Sequence, residues 1–296
     1  MAKSRVVNVA SVPKRSPFRY PGGKTWLVPT VRKWLGYAER PRVLYEPFAG
    51  GGIVGLTAAF EGLAERVVLV EKDPDVAAVW QTIITKGEGE WLAREIRKFE
   101  LTASSVRKAL GIASDSTRVR AFQTILRNRV QRGGIMAAGA GFMKDGENGR
   151  GLASRWYPET LSRRILEISA IRSRLSFIAG DGSECIREHW HERNVAFFID
   201  PPYTIAGARL YKFCNIDHGE LLKTIARLSG DFLVTYDDAA EIRNLATRFS
   251  LRFDTIPMKN THHEIQRELL ISRDFAWMRK CAAVEQPMLG LALAES

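Results

Sequence analysis

The stretch most able to do chemistry is Asp200-Pro201-Pro202-Tyr203, a carboxylate, two rigid residues and an aromatic ring in succession. It follows Asn194 to Ile199, an apolar, aromatic-rich run of strand length, the kind buried on both faces of a parallel sheet. Each proline lacks an N–H and has φ fixed at about −65°, so the pair cannot extend a ladder. The carboxylate and ring are therefore held at the carboxyl end of a buried strand, where open α/β sheets place their ligands. A strand that simply ends in a proline turn, with Asp200 as a cap, uses the same four residues.

A second group lies upstream. Gly50-x-Gly52-x-x-Gly55 follows the strand-like run Arg42 to Glu46 and precedes an apolar helical stretch closed by Gly62. The next strand, Arg66 to Val70, ends in Glu71. This is a β-turn-α-β unit with a dinucleotide-type glycine fingerprint and an acid placed to accept the two hydroxyls of a ribose. The pattern fits NAD, FAD or S-adenosylmethionine. Glycines that serve only helix–strand packing give the same spacing.

Gly22-Gly23-Lys24-Thr25 resembles the end of a phosphate-binding loop, but Phe18 stands where that motif needs glycine, and no strand precedes it. Its N–H groups and Lys24 can hold a carboxylate, or form a plain helix start leading into Trp26, Leu27, Val31, Trp34 and Leu35. Asp181, after the strand Leu175 to Ala179, can meet the amino group of a bound adenine or cap the next helix. His262 and His263 lack a third partner at metal-ligand spacing and read as turn or substrate-edge residues, so no metal site is expected.

The net charge of +11 draws a protein to polyanions. From Arg118 to Arg174 there are twelve Lys or Arg against four Asp or Glu, so most of the surplus sits in one segment. Arg120, Arg127 and Arg129 are expected near one another on a helix from Val119 to Arg132. Arg132, Lys144, Arg150 and Arg155 follow among glycines and aromatics, including Asp145-Gly146 and Asn148-Gly149 turn signals. Cations with glycines and aromatics suit contacts to nucleic-acid phosphates, although a basic helical cap over the sheet has the same composition.

These groups need an α/β sheet to position them. The remaining strand-like runs are Phe232 to Tyr236 and a closing pair, Leu251 to Met258 and Glu264 to Ser272, joined closely enough for an antiparallel hairpin. The 296 residues suffice for one large α/β domain carrying an insertion. The expected plan is a cofactor-binding domain of residues 18–85 and 175–272, an inserted recognition region of 86–174, and tails at 1–17 and 273–296. Gly87, Gly89 and Gly111 read as helix breaks, and Asp237 with Asp238 as the head of a helix. Three widely spaced cysteines (Cys185, Cys214, Cys281) form neither a disulfide nor a zinc pattern, which points to a cytoplasmic setting. No apolar run approaches the roughly 18 residues of a membrane span, so no membrane partner is expected.

In order, Phe18-x-Tyr-Pro-Gly-Gly-Lys24, Glu46-Pro-Phe-Ala-Gly-Gly-Gly52, Gly180-Asp181 and Asp200-Pro-Pro-Tyr203 resemble the motifs of the Dam-like DNA adenine-N6 methyltransferases. The resemblance spans about Phe18 to Ser272, and the basic segment lies where that family carries its target-recognition region. It implies a Rossmann-like class I methyltransferase fold: a mostly parallel seven-stranded sheet whose last strand is antiparallel, with a helical and loop insertion. It implies S-adenosylmethionine as cofactor, with Tyr20 and Lys24 at its methionine end, Phe48, Gly50 and Gly52 lining its bed, Glu71 on the ribose, Asp181 on the adenine and Asp200 also among its contacts. Asp200, with Pro201 and Pro202, and Tyr203 would act on a base extruded from double-stranded DNA. A monomer is expected, with a cognate restriction endonuclease as a functional partner that need not touch it. Two departures stand out: Glu71 replaces the family's usual aspartate, and the middle segment lacks the Asn-Arg-rich, Phe-Asn-Gly-bearing pattern that accompanies GATC recognition.

The same acceptor geometry serves cytosine-N4 or RNA amino methylation. A dehydrogenase shares the glycine turn but leaves Asp200-Pro-Pro-Tyr203 without a use. A non-catalytic DNA-binding module has no need of either the glycines or Asp200.

Overall fold

The structure is a computed structural model that describes residues 11–19, 22–134, 141–144, 149–202, 216–259 and 265–278. Its strands are β1 (Val43–Glu46), β2 (Arg66–Glu71), β3 (Leu175–Ala179), β4 (Val195–Ile199), β5 (Asp231–Asp237), β6 (Arg252–Lys259) and β7 (Ile265–Ser272). They form one sheet in the order β3-β2-β1-β4-β5-β7-β6. The pairs β1–β2, β2–β3, β1–β4 and β4–β5 are parallel, while β7 runs antiparallel to both β5 and β6. This strand order, with its single reversed strand, is the Rossmann-like class I methyltransferase arrangement. The order turns back between β1 and β4, and the carboxyl ends of that pair make the crevice where such sheets hold ligands.

The central strands β1, β4 and β5 are buried on both faces because successive side chains enter two different cores. Leu44, Val67, Leu69, Ala196, Phe198 and Leu233 face one layer. Tyr45, Val70, Phe197, Ile199, Val234 and Tyr236 face the other.

On the first face lie α1 (Val28–Leu35), α2 (Ile53–Glu61) and α3 (Pro74–Ile84), followed by α4 (Glu88–Lys98), α5 (Ala103–Gly111), α6 (Thr117–Val130) and α7 (Pro158–Ala170). Leu92 and Ile96 of α4, Ile125 and Leu126 of α6, and Ile165 and Ile168 of α7 join Val79, Trp80 and Ile83 of α3 in a single core. The basic segment is thus a second helical layer continuous with the sheet's own core. The other face carries α8 (Gly182–His189), α9 (His218–Ile225) and α10 (Ala240–Arg248).

Several local expectations need correction. Gly89 does not break a helix: it lies inside α4, where a β-carbon would stand 2.7 Å from the Ser169 hydroxyl of α7, so its smallness lets the two helices meet. Asp237 is the last residue of β5, and the helix begins only at Ala240. The segment 11–17 is packed rather than a tail. Val12 and Phe18 are buried, the Ser16 hydroxyl donates to Gly51 O at 2.6 Å, and Arg15 pairs with Glu61 at 2.9 Å. After β7, Trp277 is buried, and the Arg273 guanidinium donates to the carbonyls of Leu228 and Gly230. In both segments one or two aromatic or apolar side chains find a core despite their polar surroundings.

Candidate active site

Glu46 ends β1 and Asp200 follows β4, so the topology sets two carboxylates side by side at the switch point. Asp200 Oδ1 accepts from the Thr235 hydroxyl at 2.7 Å and lies 3.0 Å from Lys24 Nζ. Thr235 is there because β5 pairs in parallel with β4, and Ile199↔Val234 is the last matched pair before the prolines. Lys24 is 3% exposed, and its ammonium also lies 3.3 Å from Glu268 of β7 and donates to Gly22 O. Burial works against the charged lysine, but Asp200 and Glu268 outweigh it and hold its pKa above the ordinary value. Lys24, expected at the methionine end of a cofactor, is therefore a buried strut beneath Asp200.

The turn after β1 is docked onto the end of β2. Glu71 Oε2 accepts the Gly50 N–H at 2.9 Å and Oε1 the Asp73 N–H at 2.8 Å. A further backbone bond comes from Lys72, which leaves the carboxylate one acceptor site for a hydroxyl donor. Burial, opposed by those N–H bonds, pushes its pKa up to about 7. Gly52 is left-handed at φ 61°, and a β-carbon there would meet the Trp80 ring at 2.8 Å, while Trp80 Nε1 donates to Gly50 O. At Gly55 a β-carbon would stand 2.5 Å from Glu46 Oε2 and 2.7 Å from Leu69. Two of the three fingerprint glycines thus serve packing within the chain itself.

Glu46 is 3% exposed and accepts the Gly55 N–H at 2.6 Å, with a further backbone bond from Val54. Burial pushes its carboxyl up to about 8, and the negative charge of Asp200 adds to this against the two N–H bonds. The N-terminus of α2, where a dinucleotide's pyrophosphate would sit, is therefore already filled by a side chain of the protein. With those N–H groups taken, the turn disfavours a pyrophosphate.

Asp181 caps α8 through the Ser183 N–H at 2.8 Å and pairs with Lys72 at 2.7 Å. At Gly182 a β-carbon would stand 2.1 Å from Pro47 O and 3.0 Å from the Phe48 ring, so this turn lies directly on the one after β1. Phe48, Glu71 and Asp181 are thereby brought to one side of the crevice, and Asp200 with Pro201 and Pro202 to the other. Tyr20 and Tyr203 lie outside the described residues, as do His262, His263, Cys214 and Cys281 and the two turn signals at Asp145-Gly146 and Asn148-Gly149.

The expected DNA-contact residues are not all on one surface. Arg120 and Arg127 lie on one side of α6, where Arg127 approaches Asp75 of α3 at 3.7 Å. Arg129 is not with them, because nine residues turn a helix through roughly 900°, half a turn out of phase. It is 6% exposed and donates to Pro17 O. Arg132, Lys144 and Arg150 are exposed, with Arg150 over the Tyr157 ring, and Arg155 is half-buried.

Sequence reasoning assigned no role to Glu46, Thr235 or Glu268. Glu46 was visible as the acid opening the glycine motif, and Glu268 as an acid within the apolar run Ile265 to Ile271. Thr235 gave no signal until its strand was placed beside β4.

No family model matches the chain, and no curated protein matches it. Among solved structures, a candidate RNA methyltransferase from Pyrococcus horikoshii aligns at 13% identity and TM-score 0.39, covering 90% of this chain and 91% of that one. A candidate methylase from Haemophilus influenzae aligns at 12% and 0.33, covering 83% and 88%. The rRNA methyltransferase aviRa from Streptomyces viridochromogenes aligns at 13% and 0.38, covering 86% of each chain. At such scores no functional weight falls on these neighbours, and the fold assignment stands on the strand order.

Proposed function

We propose that this chain moves the methyl group of S-adenosylmethionine to the N6 amino group of an adenine turned out of duplex DNA. The observation that carries the reading is the pinned carboxylate at the switch point. Asp200 Oδ1 is held by Thr235 and Lys24, while Oδ2 has no hydrogen-bond partner among the described residues.

An adenine amino nitrogen is a poor nucleophile because its lone pair is spread into the ring. Oδ2 of Asp200 and the carbonyl of Pro201, each accepting one amino N–H, would draw that lone pair onto nitrogen. The Pro-Pro turn and the Lys24–Thr235 anchorage fix these acceptors in advance, so little reorganisation is needed as charge develops. When bound, the cofactor supplies an electrophilic methyl on a cationic sulfur that leaves with the bonding pair. As the N–CH₃ bond forms and the S–CH₃ bond breaks, the nitrogen would become positive, and Asp200, accepting one of its N–H bonds, would be placed to take the surplus proton. Glu71 would accept the ribose hydroxyls, and Phe48, Gly50 and Gly52 would line the bed. The choice of adenine, and of DNA over RNA, is supported by the ordered resemblance of the four motifs.

Asp200→Ala is expected to lower methyl transfer by about 10²–10³-fold. The cofactor Kd, read by calorimetry, should remain within about threefold, because the ribose end is held at Glu71, on the other side of the crevice. Turnover equal to that of the parent chain would contradict the assignment.

A further inference from the structure

We propose that Arg19, Arg129 and Arg164, with Arg155 beside them, form a pocket that grips a single phosphate group, supplied in the working protein by a nucleic-acid backbone. The source of the phosphate rests on the function proposed above, whereas the pocket itself does not.

Two guanidiniums converge on one short stretch of backbone, and a third is close by. Arg129 Nη2 donates to Pro17 O, Arg164 Nη1 reaches Ser16 O at 3.5 Å, and Arg19, two residues after Pro17, adds its charge beside Arg129. The main chain of Arg19 is fixed by Asn128 of α6, whose side chain accepts the Arg19 N–H at 2.9 Å and donates to its carbonyl at 2.8 Å. Gly134 completes this corner: at φ +73° it lies so close that a β-carbon would stand 2.6 Å from Arg19 O. Among the described residues, no acid lies within ion-pair distance of Arg19, Arg129 or Arg164. Two of the buried nitrogens, Arg129 Nε and Arg19 Nη1, have no hydrogen-bond partner. Arg129 is 6% exposed, and a buried arginine beside other arginines costs free energy that neutral contacts do not return. Burial, and then repulsion from Arg164, Arg19 and Arg155, lower its pKa to about 9.

An anion with several acceptor oxygens would satisfy these donors and offset the repulsion, and guanidiniums match phosphate oxygens through paired N–H bonds. The position fits a backbone phosphate. Only four residues separate Arg19 from Lys24, the strut under Asp200, so over five residue steps their α-carbons are at most ~18 Å apart. That is a few nucleotide steps along a strand whose base reaches Asp200, at about 3.4 Å per step. Tyr157, whose charge acts on Arg19, is exposed and carries the exposed Arg150 guanidinium 5.5 Å from its ring centroid.

The test uses the full chain with two probes, inorganic phosphate and a fluorescent DNA duplex, and with Arg129→Gln and Arg164→Gln. Arg164→Gln is included because Arg129→Gln also removes the clamp on Pro17. Phosphate should raise the Tm above that in chloride of equal ionic strength, and both variants should lose this rise. Their duplex affinity should fall about tenfold, with the slope of log K against log salt shallower by about 0.9. In chloride, Arg164→Gln should be no less stable than the parent, since a like charge has been removed. A phosphate-induced rise that survives in the variants would overturn the pocket, as would a lower Tm of Arg164→Gln in chloride. Loss of that rise with unchanged duplex affinity would overturn the nucleic-acid source. None of these readouts depends on methyl transfer, so failure of the enzymatic reading would be seen separately.

Discussion

Lys24 is the residue whose surroundings say most about how the site is kept in shape. It holds two carboxylates that belong to different strands, Asp200 beyond β4 and Glu268 on β7. Removing one member of a buried ionic group leaves the others uncompensated, which typically costs 3–5 kcal/mol. Lys24→Met should therefore lose about 3 kcal/mol or more in denaturant unfolding, and Glu268→Gln in the same chain should restore part of it. Simple additivity of the two changes would show that the trio is not coupled. The sequence marked Lys24 as a cation beside two glycines, which fits a cofactor carboxylate equally well; its acids are more than 170 residues away and invisible to local reading. Glu46 and Glu71 are a second case. Burial raises both carboxyls above their ordinary 4.5, to about 8 and about 7. The folded chain therefore holds more protons than the unfolded one between roughly pH 4.5 and 8. The stability these groups contribute is full below about pH 4.5 and is lost as pH rises through 7 to 8. Glu46→Gln should flatten the fall in Tm from pH 6 to 9 relative to the parent chain, and an unchanged slope would mean that Glu46 is ionised throughout. Hydroxyl donors favour the ionised carboxylate, so cofactor affinity should rise with pH across about 7, and Glu71→Gln should abolish that rise.

At the scale of elements, the turn between β1 and α2 shows why glycines at one spacing do different work. Gly55→Ala would drive a methyl group into Glu46 and Leu69, pushing α2 off the sheet, and should cost about 2 kcal/mol or more while weakening cofactor binding. Gly62→Ala meets open space but sits at φ +67°, so it should cost about 1 kcal/mol and leave cofactor affinity unchanged. Equal effects on affinity would contradict the distinction. Strands β1, β4 and β5 were legible because strands buried on both faces read as apolar runs that end at turn signals. Pairing order was not, since register is a property of two distant segments; the resemblance implied a mostly parallel seven-stranded sheet but no strand order. Two misreadings have specific physical causes. Gly89 was taken for a break because glycine disfavours helices, but the close approach of α4 and α7 overrides that propensity. Arg129 was grouped with Arg120 and Arg127, although helix rotation sets it on the opposite side. That rotation was available from the sequence, and it separates a buried arginine from a surface one.

The whole molecule divides its charge. Carboxylates gather at the carboxyl ends of the central strands, while cations gather over the helical layer of residues 117–174. Such a separation lets one surface meet a polyanion. Arg132, Lys144 and Arg150 are exposed cations of that layer, as are Arg118, Arg163 and Arg174. Replacing Arg132, Lys144 and Arg150 by glutamine should make the salt dependence of duplex binding shallower by roughly 2 to 3 in slope, at about 0.9 per phosphate contact. An unchanged slope would return this layer to the role of a structural cap. Residues 11–19 join the two halves, touching the glycine turn through Ser16 and the arginine cluster through Pro17. Among the described residues no helix is long and apolar enough to cross a membrane. The central claim is methyl transfer to an adenine amino group. Its most direct test is to incubate the chain with methyl-labelled S-adenosylmethionine and duplex DNA, digest the DNA to nucleosides and identify the labelled species. The label should appear in N6-methyldeoxyadenosine, and Asp200→Ala should remove it. Label on cytosine, label only when RNA replaces DNA, or no label on either polymer would contradict the account.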